Sequence, residues 1–272
     1  WMKKPTIKYL GTVALVRLPL NTSVDVKSLA EKIMASNKSV KTVLTIERIH
    51  GQHRIPVVKH VAGSTNTETI VREDGLIFEL DAARLMFSLG NSFERRRIRA
   101  IVQPGEVVVD MFAGVGQFSI PAAKAPSKYV YAFEINSYAY RYLCENIRLN
   151  GVSDKVTAFN EDCRNALEKG LRGVADRILM GYLKGTADYL STAIHLANPD
   201  GGIIHFHEIA DTRDGGDKLY DLCRKIAEEN GFSTELLEKR IVKTYSPRMA
   251  HWVLDLRVRR RSLLEPSSDL AQ

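Results

Sequence analysis

One stretch constrains this chain more than any other: Val107-Val108-Val109-Asp110-Met111-Phe112-Ala113-Gly114-Val115-Gly116-Gln117-Phe118. It reads as an apolar strand, an acid at its end, and Gly-x-Gly opening a helix. Glycines there let the backbone turn sharply and approach a ligand with no Cβ in the way. Gly-x-Gly alone is a weak signal, and an ordinary tight turn is the plain alternative for Gly114 and Gly116. The surroundings sharpen it. A second strand, Tyr129 to Phe133, ends in Glu134, followed by Ile135 and Asn136, where a carboxylate is placed to accept hydrogen bonds from both ribose hydroxyls of an adenosine. A third acid, Asp162, follows the strand Val156 to Phe159, with Cys163 beside it. Helix capping is the competing reading of each acid taken singly. Three acids at successive strand ends fit the methyltransferase form of the doubly wound fold, and the missing third glycine of the dinucleotide fingerprint argues against NAD.

Strands and helices alternate on both sides of this motif, through Ser137 to Asn150, Ala175 to Met180, Ala187 to Leu196 and Gly202 to His207. That alternation predicts a parallel sheet covered on both faces. A helix over Lys218 to Asn230, ending at Gly231, precedes a closing antiparallel pair, Glu235 to Val242 and His251 to Arg259. The fold class expected is α/β: a Rossmann-like class I methyltransferase fold, mostly parallel with an antiparallel C-terminal strand, preceded by a small α/β domain. In that first part Lys8 to Leu18 reads as a strand, Val26 to Met34 as a helix and Val40 to Arg48 as a strand. Loop-like Gly51-Gln52-His53-Arg54 and Gly63 to Thr67 follow, which sets the boundary between domains 1–65 and 66–272. Asp74-Gly75 between Glu68 to Val71 and Leu76 to Leu80 signals a hairpin at the entry to the second domain. Phe93 to Val102 has the pattern of a basic helix.

At 272 residues, 44% hydrophobic and 26% charged, the chain can bury a core without help. The net charge of +7 favours a polyanionic partner, although a solvated basic surface explains it equally well. Cys144, Cys163 and Cys223 form no CxxC or Cys/His cluster, so neither structural zinc nor a disulfide framework is expected. His205 and His207, followed by Glu208, lack a third ligand at a familiar spacing, and are expected at a strand end near the site without a metal. No apolar run reaches the roughly 18 residues of a membrane span, and a cytoplasmic location without membrane association is expected.

The run Asp110 to Ala123, with Phe118-Ser119-Ile120-Pro121 closing the loop, resembles the cofactor loop of a group of archaeal and eukaryotic tRNA-modifying enzymes. That group comprises guanosine-37 N1-methyltransferases and wybutosine-synthesis aminocarboxypropyltransferases. Phe87-Ser88-Leu89-Gly90-Asn91-Ser92-Phe93-Glu94-Arg95 and Lys243-Thr244-Tyr245-Ser246-Pro247 extend the likeness over the whole second domain. Two departures separate the branches. The methyltransferases carry an Asn-Pro-Pro-Tyr-like element where this chain has Met180-Gly181-Tyr182, and Ser-Pro-Arg where it has Ser88-Leu89-Gly90-Asn91. Both are similar to the aminocarboxypropyl branch. The resemblance implies S-adenosylmethionine as donor of a 3-amino-3-carboxypropyl group to C7 of 4-demethylwyosine at tRNA position 37, with methylthioadenosine released. It implies that Ser88 and Arg95 hold the methionine portion, Arg95 by clamping its carboxylate, while Asp110, Phe112, Gly114, Gly116, Phe118 and Met180 shape the pocket. Glu134, Ile135, Asn136, Asp162 and Cys163 would hold adenosine. Glu94 matches the general base of the methyltransferases, with an ion-paired helix residue as the alternative.

Acting on an anticodon-loop base requires splaying it out onto flat side chains, for which Tyr182, Phe112 and Tyr245 are candidates. Core packing is the competing reading for the first two. Phosphate contacts are sought in three basic clusters, Arg95 to Arg99, Lys239 to Arg248 and Arg257 to Arg261, and in Lys38, Lys41, Arg48, His50, His53, Arg54, Lys59 and His60 of the first domain. No obligate protein partner is inferred. A tRNA methyltransferase of the same group, an RNA-binding module with a degenerate pocket, and a protein methyltransferase are the alternatives.

Overall fold

Two sheets and a hairpin organise the chain, described by the computed structural model over residues 4–19, 22–51, 54–183 and 185–261. Gln52 and His53 of the expected loop, and the end of the second expected domain beyond 261, lie outside the described residues. The first sheet runs in sequence order through β1 (Thr6–Leu10), β2 (Val13–Arg17), β3 (Thr42–His50) and β4 (Ile55–Gly63). The expected single strand from Lys8 to Leu18 is two antiparallel ones, because Gly11 takes φ +52° and folds the chain back. β2 and β3 are parallel, so the chain needs a crossover, supplied by α1 (Val26–Ser36) with the Asp25 carboxylate capping the Lys27 N–H. Ala30 and Ile33 of α1 pack on Ala14, Val16, Val40 and Val43 of the sheet. β4 was not foreseen: its inward and outward residues do not alternate cleanly, since the pairing with β3 shifts register at Val43/Leu44 and Ile46/Arg48.

The predicted hairpin is β5 (Glu68–Glu73) and β6 (Leu76–Asp81), turning at Asp74 and Gly75, both with positive φ. Thr69 ties it to the first sheet by accepting the Thr12 N–H at 2.8 Å and donating to the Leu10 carbonyl at 3.1 Å. Leu10, Val13 and Leu44 of the first sheet share one apolar cluster with Phe78 and Leu80 of the hairpin and with Val115 and Ile120 beyond it. α2 (Ser92–Ile101) leads into the second sheet.

That sheet follows as β7 (Val107–Asp110), α3 (Ser119–Lys124), β8 (Tyr129–Phe133), α4 (Ser137–Leu149), β9 (Val156–Phe159), β10 (Arg177–Met180), α5 (Leu190–Leu196), β11 (Gly202–Asp211), α6 (Asp217–Glu229), β12 (Phe232–Ser246) and β13 (Met249–Arg260). Its seven strands lie in the order β12-β13-β11-β10-β7-β8-β9. β11, β10, β7, β8 and β9 are parallel, and β13 and β12 antiparallel, as expected for a Rossmann-like α/β sheet of the methyltransferase kind. The chain steps from β7 outward to β8 and β9, then crosses back to β10 on the other side. The order therefore reverses between β7 and β10, and the loops at their carboxyl ends part to leave a crevice. No helix of the described residues is long and apolar enough to cross a membrane.

Candidate active site

A cleft of about 530 Å³ opens at this reversal point, within the range that holds a small-molecule ligand. Its floor is the loop after β7, with Phe112, Gly114 and Phe118, and its far side is Glu134, Ile135 and Asn136 after β8 and Asp162 and Cys163 after β9. Ser88 and Gln117 form one wall and Gly181, Tyr182 and Tyr189 another. Lys8 and Arg17 of the first sheet and Arg54, just before β4, close the outer rim.

The loop after β7 is built around a buried carboxylate. Asp110 accepts the Ser119 hydroxyl at 2.6 Å and the Phe112 N–H at 3.2 Å, stapling the strand end to the start of α3. Burial pushes its carboxyl up to about 6, against the pull of those two hydrogen bonds. It shapes the loop from behind and does not line the cleft, so its expected contact with the cofactor becomes a supporting role. Gly114 and Gly116 have φ +57° and +95°. Gly114 faces the cleft; Gly116 lies beneath it, where a Cβ would come 2.7 Å from Ile120 Cδ1. Met180, fully buried, likewise belongs to the core under the cleft and does not line it.

Glu134 receives the Gly114 N–H on Oε2 and the Asn136 N–H on Oε1, both at 2.8 Å. Burial raises its carboxyl above the usual range while these N–H groups pull it down. Two of its four lone-pair directions are thereby used and the group borders the cleft, so the remaining acceptor positions fit the paired hydroxyls of a ribose. Asn136 also caps α4 by accepting the Tyr138 N–H at 3.0 Å. Ile135 offers an exposed apolar side chain beside them. Asp162 pairs with Arg164 at 2.6 Å, and that ion pair holds its carboxyl below the usual range. Burial pushes the adjacent Cys163 thiol up to about 12, so it enters the cleft as a neutral, unreactive wall. Phe112 stacks on Tyr182 with ring centroids 5.0 Å apart and 21° between planes, and meets Tyr189 edge-on. Tyr245, half exposed, stands on the rim beside Lys243.

Two expected roles are corrected. Glu94 is completely buried, and its carboxylate is taken by Arg97 at 3.0 Å and Arg240 at 3.3 Å. It does not border the cleft, and two guanidinium groups occupy the oxygens that a general base would need. Arg95 gives both arms of its fork to Glu73, each bond 2.7 Å, and a further N–H to the Ser88 carbonyl at 2.8 Å. Its geometry is spent on fixing the Ser88 wall, with Gln117 accepting the Ser88 N–H at 2.9 Å, and no fork remains to clamp a carboxylate.

The basic clusters divide in the same way. Arg95 and Arg97 are inside, and Arg96 is paired with Asp74. Arg257, Arg259 and Arg261 pair with Glu235 and Glu228 at the opposite edge of the sheet, since Val258 lies level with Gly202 at the start of β11. Of the middle cluster, Arg240 is partly buried and paired with Glu94, while Lys243 reaches the cleft. Of the first-sheet residues singled out, Arg54 lines the cleft; Lys38, Lys41, Arg48, His50, Lys59 and His60 do not, and His53 lies outside the described residues. Burial, then Lys243 and Arg17, lower the pKa of Lys8, a residue that composition gave no reason to choose. His205 is committed to Arg177 and Asp255, at 2.7 Å each. Among the described residues no group of three or more His, Cys, Asp or Glu side chains is placed to hold a metal ion.

The likeness to known proteins agrees with this architecture. Residues 69–236 match the model of the TRM5/TYW2 methyltransferase domain. The chain is 38% identical over 250 residues to the tRNA(Phe) (4-demethylwyosine(37)-C(7)) aminocarboxypropyltransferase of Pyrococcus horikoshii, covering 92% of this chain and 87% of that one. It is 36% identical to the tRNA (guanine(37)-N(1))-methyltransferase Trm5b of Pyrococcus abyssi, over 92% of this chain and 73% of the relative. The crystal structure of P. horikoshii TYW2 in complex with MeSAdo superposes with a TM-score of 0.81 at 34% identity, covering 94% of this chain and 91% of that one. With the crevice at the strand-order reversal, the Gly-x-Gly loop and the Glu134 carboxylate in place, the chain belongs to the TRM5/TYW2 family.

Proposed function

We propose that this chain transfers the 3-amino-3-carboxypropyl group of S-adenosylmethionine to C7 of 4-demethylwyosine at position 37 of tRNA-Phe, releasing methylthioadenosine. Overall identity to relatives of the two activities is nearly equal and does not choose between them. The observation that carries the choice is Gly181. A Cβ there would stand 2.6 Å from the Phe118 ring, so this wall has room for the ring only because residue 181 is glycine. Proline, the residue type of the methyltransferase element, carries that Cβ, and the ring could not keep this position beside it. The wall that faces the reactive end of the donor is thus shaped by an aromatic ring in place of a proline pair.

When bound, S-adenosylmethionine supplies a sulfonium with three electrophilic carbons, and the one presented in line to the nucleophile reacts. Glu134 accepts the ribose hydroxyls, Ile135 covers the adenine, Asp162 and Cys163 border its edge, and Ser88 and Gly114 flank the methionine portion. Phe112, Tyr182 and Tyr245 stack the splayed base, while Lys8, Arg17, Arg54 and Lys243 draw in the phosphates of the anticodon loop. The part before residue 66 serves as the RNA-recognition domain in this reading and residues 66–272 as the catalytic one.

Mass spectrometry of the nucleoside formed from S-adenosylmethionine and tRNA bearing 4-demethylwyosine tests the assignment. An aminocarboxypropyl increment with methylthioadenosine released is expected. A methyl increment with S-adenosylhomocysteine released would replace it with the methyltransferase reading.

A further inference from the structure

Two histidines stand behind one wall of the cleft and have no role in the donor contacts proposed above. Phe206 of β11 is level with Met180 at the end of β10, so His207 stands one residue further, beside Gly181 and Tyr182. On the neighbouring antiparallel strand, His251 borders the cleft, and its Nε2 lies 2.9 Å from His207 Nδ1. His207 in turn leans on the Phe118 ring at 5.5 Å between centroids. Two imidazole nitrogens at that distance hold one hydrogen between them, so the tautomer of one ring dictates the tautomer of the other. Among the described residues neither ring has another hydrogen-bond partner. Burial, then Arg54 and Lys243, hold the pKa of His251 down to about 4. Burial, then His251 and His205, lower that of His207 well below its usual value. The pair is neutral at neutral pH and buried, and His251 is its member that borders the cleft. Of the other buried titratable groups on these strands, His205 is held by Arg177 and Asp255, and the Glu208 carboxylate accepts the Gly185, Thr186 and Ile209 N–H groups.

Resting on the function proposed above, we infer that His251, backed by His207 as a positioning residue, accepts the proton that the base carbon gives up. That carbon uses a ring π pair to bond to the propyl carbon, as the carbon–sulfur bond breaks and leaves its pair on a neutral thioether. The ring then carries one positive charge and a C–H bond. The proton passes to the His251 nitrogen not engaged by His207, and the C–H pair restores the ring. A cationic carbon acid is strong, so a weakly basic imidazole suffices. The net charge of the cleft never changes: it starts on the sulfonium, passes to the base and ends shared over two rings.

His251→Gln keeps a hydrogen-bonding group against His207 but takes no proton. Calorimetry with S-adenosylmethionine and with tRNA is expected to give wild-type affinities, while turnover falls about 10²-fold or more. Deuterium at the reacting base carbon, without effect on the wild type, is expected to slow this variant, because proton loss has become the slow step. Added imidazole is expected to restore turnover to His251→Ala. In the ligand-free protein, ¹⁵N NMR should show both rings neutral with a single hydrogen between them, and His207→Phe should shift the His251 signals. Turnover of His251→Gln at the wild-type rate overturns the inference, and so does a loss with neither isotope effect nor imidazole rescue. A wild-type chain that releases no methylthioadenosine overturns the functional reading instead, and shows it before any variant is made.

Discussion

Replacing Glu134 by alanine removes the acceptor for the Gly114 and Asn136 N–H groups, both bonded at 2.8 Å, together with the oxygens that face the cleft. Two distinct losses follow. In the free protein two loop N–H groups must turn to water, which costs about 1 kcal/mol each and appears as a lower unfolding midpoint. In the complex, hydrogen bonds between a carboxylate and two ribose hydroxyls are absent, at about 1.5 to 3 kcal/mol apiece, so S-adenosylmethionine should bind roughly 10²- to 10⁴-fold more weakly. Glu134→Gln separates the two. Its amide oxygen can serve one backbone N–H, but its NH₂ must face the other donor, so the loop is disturbed while volume is kept. Isothermal calorimetry with S-adenosylmethionine, read beside thermal unfolding of each variant, measures both. An affinity within a factor of about 3 of wild type for Glu134→Ala would refute the placement of the ribose at this carboxylate, since less than about 1 kcal/mol would then be at stake.

Gly116→Ala places a Cβ at φ +95°, 2.7 Å from Ile120 Cδ1 and 3.2 Å from Leu143 Cδ1. Strain and overpacking together should lower stability by about 2 to 4 kcal/mol in urea titrations, and an unchanged midpoint would contradict the packing described. Burial raises the Asp110 carboxyl from 3.8 to about 6, so between these values the folded chain holds a proton that the unfolded chain has lost. The contribution is therefore fully present below about 4 and is lost as pH rises through about 6, on the order of 3 kcal/mol in all. Unfolding free energies of wild type and Asp110→Asn, compared at pH 4 and pH 7, should diverge by that order, and parallel curves would show that the carboxyl is not buried as a neutral acid.

Much of the catalytic half is legible locally. An apolar run ending in Asp110, glycines at 114 and 116, and a helix behind them need only neighbouring residues to form, and Glu134 follows from the next strand by the same logic. The Asp74-Gly75 turn is equally local, since positive φ belongs to those two residues. Less of the first sheet can be read this way. Gly11 splits the first expected strand, and β4 is hidden by two register shifts that break its alternation.

The site residues divide along the same line. The residue pattern puts Glu94 and Arg95 on a helix, which the structure has at Ser92–Ile101, and only the resemblance assigned them to the site. What they do is decided by Glu73 on the hairpin and by Arg240 and Asp255 on the last two strands, which take up their charges and those of Arg97. His251 carries no motif, and enters the cleft only because β13 lies against β11. A short-range pattern determines where the backbone turns and which strand ends are acidic, because those depend on torsions and hydrogen bonds among adjacent residues. Which buried charge meets which partner depends on strand order and register across the whole sheet, and only the closed tertiary structure decides it.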